Sequence, residues 1–251
     1  MHVIIGAFIV AGSFLWASQY FSMDFDGFVS IYALILLLGV PLGLTVLTYR
    51  FSTLWMALKG LFGALFERPE SERERLASHL ISFGRALRQG RAQEASQVID
   101  AESDPVFKTL ARHVLERGDV EEIEADAVVC GRRQLQSFRR AERVLSSLGT
   151  FAPAMGMIGT VIGLIQLLSQ MHDFDKLGSG MAIALLTTLY GLMLAHLLYL
   201  PLARLVADHG AQRAENINMV LDGMLKLARR RPLYELQEVV AREPSAESGN
   251  V

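Results

Sequence analysis

Three threonines, one histidine and two prolines stand within two stretches, 144–171 and 177–203, that carry no Asp, Glu, Lys or Arg. Thr160 lies in the run FAPAMGMIGTVIGL (151–164), and Thr187 and Thr188 lie in GMAIALLTTLYG (180–191). A hydroxyl in an apolar helix can bond its own carbonyl one turn back, or line a hydrated path and coordinate an ion or water. His196 is the imidazole of this region. With no second ligand at i+3 or i+4 it is not a metal site, but a proton-relay role is open to it. Pro153 and Pro201 each remove a backbone donor and free a carbonyl, so a kink is expected at both. Small residues recur every fourth position as Ala152, Gly156 and Thr160, and as Gly159 and Gly163, a face that lets helices approach closely in lipid. No Asp or Glu occurs in either run. If this region passes ions, another subunit must bring the carboxylate that binds and releases them.

The elements that position these residues follow from the distribution of charge. Asp, Glu, Lys and Arg are absent from 3–21, 28–49, 144–171 and 177–203, stretches of 19, 22, 28 and 27 residues. As helices rising about 1.5 Å per residue, each is long enough for a hydrocarbon core about 30 Å thick. The fold class expected is all-α: a polytopic membrane protein with four transmembrane helices and a helical cytoplasmic domain. Of 24 Lys and Arg, 16 fall in 50–143 and 7 in 204–251. Basic segments stay in the cytoplasm, so both termini and the long segment are placed there. The links 22–27 and 172–176, with Asp24, Asp26, Asp173 and Asp175 against Lys176, become short outer turns. The first apolar run has no basic n-region and is too long for a usual signal peptide.

Four parts result: a transmembrane hairpin over 1–49, a cytoplasmic helical domain over 50–143, a transmembrane pair over 144–206, and a cytoplasmic helix with a disordered tail over 207–251. Within the second, Leu54, Ala57, Leu58, Leu61, Leu65 and Phe66 give 51–66 the pattern of an interfacial amphipathic helix, broken at Glu67-Arg68-Pro69. Leu76, Leu80, Phe83 and Leu87 give a helix over 71–88 that Gly90 ends. Shorter helices follow at 93–101 and 105–115, then a long one from about 120 that enters the third span without a break. The C-terminal helix is expected to stop near Pro232.

Several function classes are excluded. A single cysteine, Cys130, builds neither a disulfide framework nor a cysteine-based zinc site, and a net charge of −2 makes no case for nucleic acid. There is no phosphate-binding loop, no His-Glu-x-x-His, no Gly-x-Ser-x-Gly and no pair of intramembrane aspartates, so no enzyme is expected.

The two runs 151–164 and 180–191, followed by Pro201, resemble the MotA/TolQ/ExbB family, and most closely its flagellar stator branch. The branch has four spans with a long segment between the second and third, whereas TolQ and ExbB have three. The resemblance implies an ion-conducting stator subunit of the bacterial inner membrane that turns proton or sodium flow into rotation of the flagellar motor, with no cofactor besides the transported H+ or Na+. It implies a homopentamer around two copies of a MotB/PomB-like partner, whose single span carries the ion-binding aspartate, and a flagellar rotor protein as second partner. Carried over by motif, Thr160, Thr187 and Thr188 face the ion path, Pro153 and Pro201 couple passage to movement, and Gly156, Gly159, Gly163 and Gly191 pack the helices. Tyr190 has no assigned role, and Asp26 corresponds loosely to an outer-turn aspartate of the sodium-type branch. The resemblance implies rotor contact through Arg88, Arg91 and Glu94. Here the chain departs from the family: Gln89, Ala95 and Thr150 replace charged residues of relatives. A different charge set, such as Arg91, Glu102 and Asp104, is the alternative. Two other readings stay open, an energiser of a non-flagellar machine and a structural membrane scaffold.

Overall fold

The computed structural model describes residues 9, 12–13, 16, 31–66, 69–169 and 174–241. Most of the first span, the turn 22–27, residues 172–173 of the other turn and the tail 243–251 lie outside the described residues. The described residues contain helix and turn and no strand. In chain order they form α1 (Ile31–Thr48), α2 (Phe51–Phe66), α3 (Pro69–Arg88), α4 (Ala92–Ala101), α5 (Pro105–Leu115), α6 (Val120–Ser169) and α7 (Phe174–Met193). A turn of π-helix (Leu194–Tyr199), α8 (Leu200–Ala228) and α9 (Leu233–Ala241) complete the order.

Two helical stretches, Val120–Ser169 and Gly180–Ala228, are long and apolar enough to cross a membrane. A third candidate arises if α1 and α2, broken at Tyr49 and Arg50, are taken as one pair. Among the described residues the sequence count of four is thus reached only in part.

The chain divides into two compact units. One holds residues up to Leu44 together with Thr150–Ala195, the other Thr45–Gly149 with His196–Val251. In the second unit α3, α4, α5, the start of α6, α8 and α9 enclose a core that includes Leu76, Leu80, Phe83, Ile99, Phe107, Leu110, Ile123, Met224 and Leu236, each at most 2% exposed. The rings of Phe83 and Phe107 meet edge to face at 6.2 Å. Alternation of small and large residues sets the packing. A Cβ on Gly84 would lie 2.8 Å from Leu236 Cδ2, and one on Gly223 would lie 2.5 Å from Leu80 Cδ2, so both glycines make room for leucine tips where α3, α8 and α9 meet. Helix α2 shows two faces: Ala57, Gly60 and Ala64 are buried, while Phe51, Trp55, Leu58, Phe62 and Phe66 form an exposed stripe at helical spacing. Gly60 rests on the carbonyl of Ser137 in α6.

The helix ends are set locally. Gly90, at φ +70°, closes α3 with Arg91 N–H donating to Ala86 O at 3.0 Å and Gly90 N–H to Leu87 O at 3.2 Å, a Schellman turn. The same pairing ends α8, where Arg231 N–H reaches Lys226 O at 2.9 Å, and it is Arg230 that takes φ +55°. The helix therefore stops at Ala228, four residues before the proline expected to end it. Helix α9, which the sequence reading did not include, follows and seals the core with Leu236 and Val239.

Both prolines lie within continuous helical stretches. α6 runs as one 50-residue helix through Pro153; the carbonyl that this proline frees belongs to Gly149, and a single lost donor is tolerated in a span. Upstream of Pro201 the chain widens instead into the π-turn Leu194–Tyr199. The missing N–H of Pro201 leaves Leu197 O without its ordinary partner, and a wider turn absorbs the mismatch.

Candidate functional site

Glycine dictates the geometry of the first unit. Where α6 meets α7, a Cβ on Gly191 would lie 2.7 Å from Ala152 O, and one on Gly156 would lie 2.9 Å from Thr187 O. One on Gly159 would meet Thr187 Cβ at 2.7 Å, and one on Gly163 would meet Ala184 Cβ at 2.8 Å. These four glycines lie along the seam, where backbone approaches backbone at Gly156 and Gly191. Gly180 is different, since its nearest neighbour is Leu167 at an ordinary 3.6 Å.

That approach brings two of the three threonines together. Thr160 Oγ1 donates to Gly156 O at 3.0 Å, Thr188 Oγ1 lies 3.3 Å from the same carbonyl, and the two hydroxyls are in direct contact. Gly156 thus supplies both the absent side chain that admits α7 and the carbonyl on which the hydroxyls converge. Both threonines are half-buried. With one hydroxyl donating to the carbonyl and one proton lying between the two hydroxyls, oxygen lone pairs remain to accept from water or to face a cation. Thr187 does not join them. It is 2% exposed, packs on Gly159, and donates to Ala184 O at 2.8 Å. Its role in the structure is the helix-internal one.

His196 and Pro201 are exposed, and Pro153 and Tyr190 half-buried. His196 belongs to the second unit with the π-turn's remaining residues. No group of three or more His, Cys, Asp or Glu able to hold a metal ion occurs among the described residues.

The charges considered for surface contact divide into two sets. Arg88, Arg91 and Glu94 are exposed at the α3–α4 turn, with Arg91 Nη1 donating to Glu94 Oε1 at 3.1 Å. Glu102 and Asp104 are 1% and 4% exposed, which removes them as surface charges. Glu102 Oε1 accepts from Ser103 N–H at 2.7 Å and Asp104 N–H at 3.0 Å, its Oε2 meets His79 Nδ1 at 2.7 Å, and Arg75 lies at 3.4 Å. Burial pushes its carboxyl up, but these bonds and the Arg75 charge outweigh burial and hold it below the usual value. Asp104 caps α5 by accepting from Phe107 N–H at 2.7 Å, and both it and Glu72 pair with Arg213. Burial raises the Glu72 carboxyl despite Arg213.

This buried ion network is what the sequence reading missed. Glu72, Asp104 and Arg213 come from α3, the turn before α5, and α8, with 109 positions between Asp104 and Arg213. Only the cap had a local signal, Asp104 before Pro105.

A helical membrane protein with a glycine-closed seam holding paired hydroxyls, and no carboxylate in that seam, defines the class. Residues 98–219 match the MotA/TolQ/ExbB proton channel family. Chemotaxis protein PomA of Vibrio alginolyticus is 43% identical over 84 residues, 34% of this chain and 33% of that protein. Motility protein A of Borreliella burgdorferi is 30% identical over 169 residues, 66% of this chain and 64% of that protein. The chain thus covers less than two thirds of the length of either relative. The fold is that of the chain in the structure of C. jejuni MotAB, with a TM-score of 0.86 over 99% of this chain and 97% of that one at 15% identity. The Bacillus subtilis flagellar MotAB stator complex gives 0.77 over 92% of each chain at 19% identity.

Proposed function

We propose that this chain is the ion-conducting stator subunit of a flagellar motor, acting with a MotB/PomB-like partner whose span brings the ion-binding carboxylate. The observation that carries the reading is the hydroxyl pair Thr160 and Thr188 on the Gly156 carbonyl, within the family-matched segment and in a seam that has no acid of its own. H+ and Na+ both suit such oxygens. The reading includes four spans, both termini in the cytoplasm of a bacterial inner-membrane protein, and the second unit as the cytoplasmic domain. It also includes five copies around two partners, with Pro153 and Pro201 converting ion passage into movement and Arg88 offered to the rotor. His196 enters as a relay only through another subunit, because its side chain is exposed.

A deletion strain tests this. Intact filaments that do not rotate, rescued by the wild-type chain and not by Thr160→Ile or Pro153→Ala at equal membrane level, are the expected outcome. Normal rotation in the strain, or full rescue by both variants, overturns it. A second reading, an energiser of a gliding or envelope machine, is favoured by one observation: Arg91 and Glu94 bond to each other.

A further inference from the structure

The charge-free stretches 28–49, 144–171 and 177–203 each stop at an arginine: Arg50, Arg143 and Arg204. The second unit brings these three ends together. Tyr49, beside Arg50, reaches α6, its hydroxyl 2.7 Å from Ser147 Oγ and 3.5 Å from Arg143 O. Helix α8 runs antiparallel to α6, since a Cβ on Gly149 would lie 2.8 Å from Leu200 Cδ2 and one on Gly210 would lie 3.1 Å from Phe138 Cβ. Arg143 precedes Gly149 by six positions and Arg204 follows Leu200 by four, about 9 and 6 Å along their helices, so the two stand at nearly one level. One turn further along α6, Arg139 lines a shallow groove of about 170 Å³ between α6 and α8, whose apolar lining includes Phe138, Val206 and Ala207. Arg204 stands one turn before Ala207, at the rim of that groove. Unlike the arginines of the buried ion network, these are not engaged. Arg50, Arg139, Arg143 and Arg204 are all exposed, and their side chains form no ion pair or hydrogen bond among the described residues. Two acids stand near, Glu142 in the groove lining and Asp208 on α8, and neither pairs with them, so four cations against two carboxylates leave a net positive surface.

We propose that this surface binds an anionic phospholipid, its phosphate held by Arg139, Arg143 and Arg204 with Arg50 alongside, and its first acyl carbons resting in the groove. The inference rests on the reading of the charge-free stretches as spans and goes beyond it. The basic bias of loops sets orientation alone, whereas free guanidiniums gathered at one level select the charge of the lipid they meet. Guanidinium forks match the oxygens of a phosphodiester, and they do so best where no protein carboxylate already occupies them. The place suits a headgroup rather than a soluble anion. The arginines stand where the apolar stretches end, and the apolar side chains of Phe138, Val206 and Ala207 lie between those of α6 and the one of α8. A zwitterionic lipid offers the same phosphate but cancels its charge, so the surface discriminates between the two headgroups.

The test is titration calorimetry of the full chain in neutral detergent with dioctanoyl phosphatidylglycerol, dioctanoyl phosphatidylcholine and sodium glycerol phosphate. The expected result is saturable binding of phosphatidylglycerol that weakens with added salt, with phosphatidylcholine about tenfold weaker and glycerol phosphate weaker still. Arg139→Gln and Arg204→Gln are each expected to weaken phosphatidylglycerol about fivefold, the share of one arginine at a membrane surface. Arg112→Gln, on the exposed surface of α5 and outside the groove lining, is expected to leave it unchanged. Equal affinity for the two lipids, affinity that survives both groove variants, or glycerol phosphate binding as tightly as the lipid overturns the proposal. The three substituted arginines are exposed, and equal helicity by circular dichroism confirms that the variants compare folded chains. The assay involves no rotation and no ion gradient, so its failure and failure of the stator reading are separate results.

Discussion

The two units solve helix packing in opposite ways. In the first, α6 and α7 touch through Gly156, Gly159, Gly163 and Gly191, and two hydroxyls meet on one carbonyl. In the second, large side chains such as Phe83, Phe107 and Leu80 fill the core, and a buried network of Arg213, Asp104, Glu72 and Glu102 ties the helices. On the proposed reading the difference follows from the solvent, lipid about the first unit and water about the second. In lipid, burial of apolar groups brings helices no net gain, so close backbone approach must supply the attraction. In water, apolar burial drives assembly and charges can be paired inside it.

The comparison breaks first at the network. Arg213→Met leaves Asp104 and Glu72 without their cation, a loss of about 3–5 kcal/mol. The expected outcome is a large drop in the thermal midpoint of the purified chain; a shift no greater than that of an exposed arginine variant would show that the second unit is held by its apolar core alone. Next comes the seam. Gly191→Ala forces a methyl to within 2.7 Å of Ala152 O, at a cost of about 1–3 kcal/mol. On the proposed reading, ion flux in vesicles that also hold the MotB/PomB-like partner is expected to fall with it, while Gly180→Ala, in ordinary contact, leaves flux intact.

Acidification sharpens the comparison, since only the second unit contributes buried carboxylates here. The folded Glu102 carboxyl is depressed, so its stabilisation is present above the unfolded value and lost as pH falls through the folded one. Glu72 is raised and acts in the opposite sense, favouring the fold below its unfolded value and losing that contribution as pH rises through the folded one. Glu102→Gln is therefore expected to flatten the loss of stability on the acid side in melts recorded across pH 3–6, a window about the ordinary carboxylate range. The smallest effect is at a helix end. Arg230→Gly relieves a left-handed backbone at φ +55°, and a gain of up to about 1 kcal/mol is expected in denaturant unfolding.

What could be read from the sequence divides along the same line. The seam was legible because its information is local: small residues four apart, with threonines between them, mean close approach whatever the partner. The amphipathic α2 and the helices up to Leu115 were legible from spacing for the same reason. The ion network was not, because nothing near Glu72 announces an arginine on α8. Glu102 and Asp104 looked like surface charges until folding buried them. Thr187 and Thr188 are adjacent and chemically identical, and only the position of Gly159 decides which one packs and which one pairs. Helix α9 was hidden by Pro232, which marked the end of α8 too strongly and concealed a new start one residue later.

The π-turn at Leu194–Tyr199 has a consequence for how the sequence can vary. Such a turn holds one residue more than an α-helix of the same rise, so the residues after it are phased as though an insertion had been accepted. Removing one residue from this stretch is expected to restore ordinary pitch and leave the faces of α7 and α8 as they are. The same deletion a few turns away would rotate every later residue by about 100°. Length variation in relatives of this helix is therefore expected to gather at 194–199, where the fold carries its one spare residue.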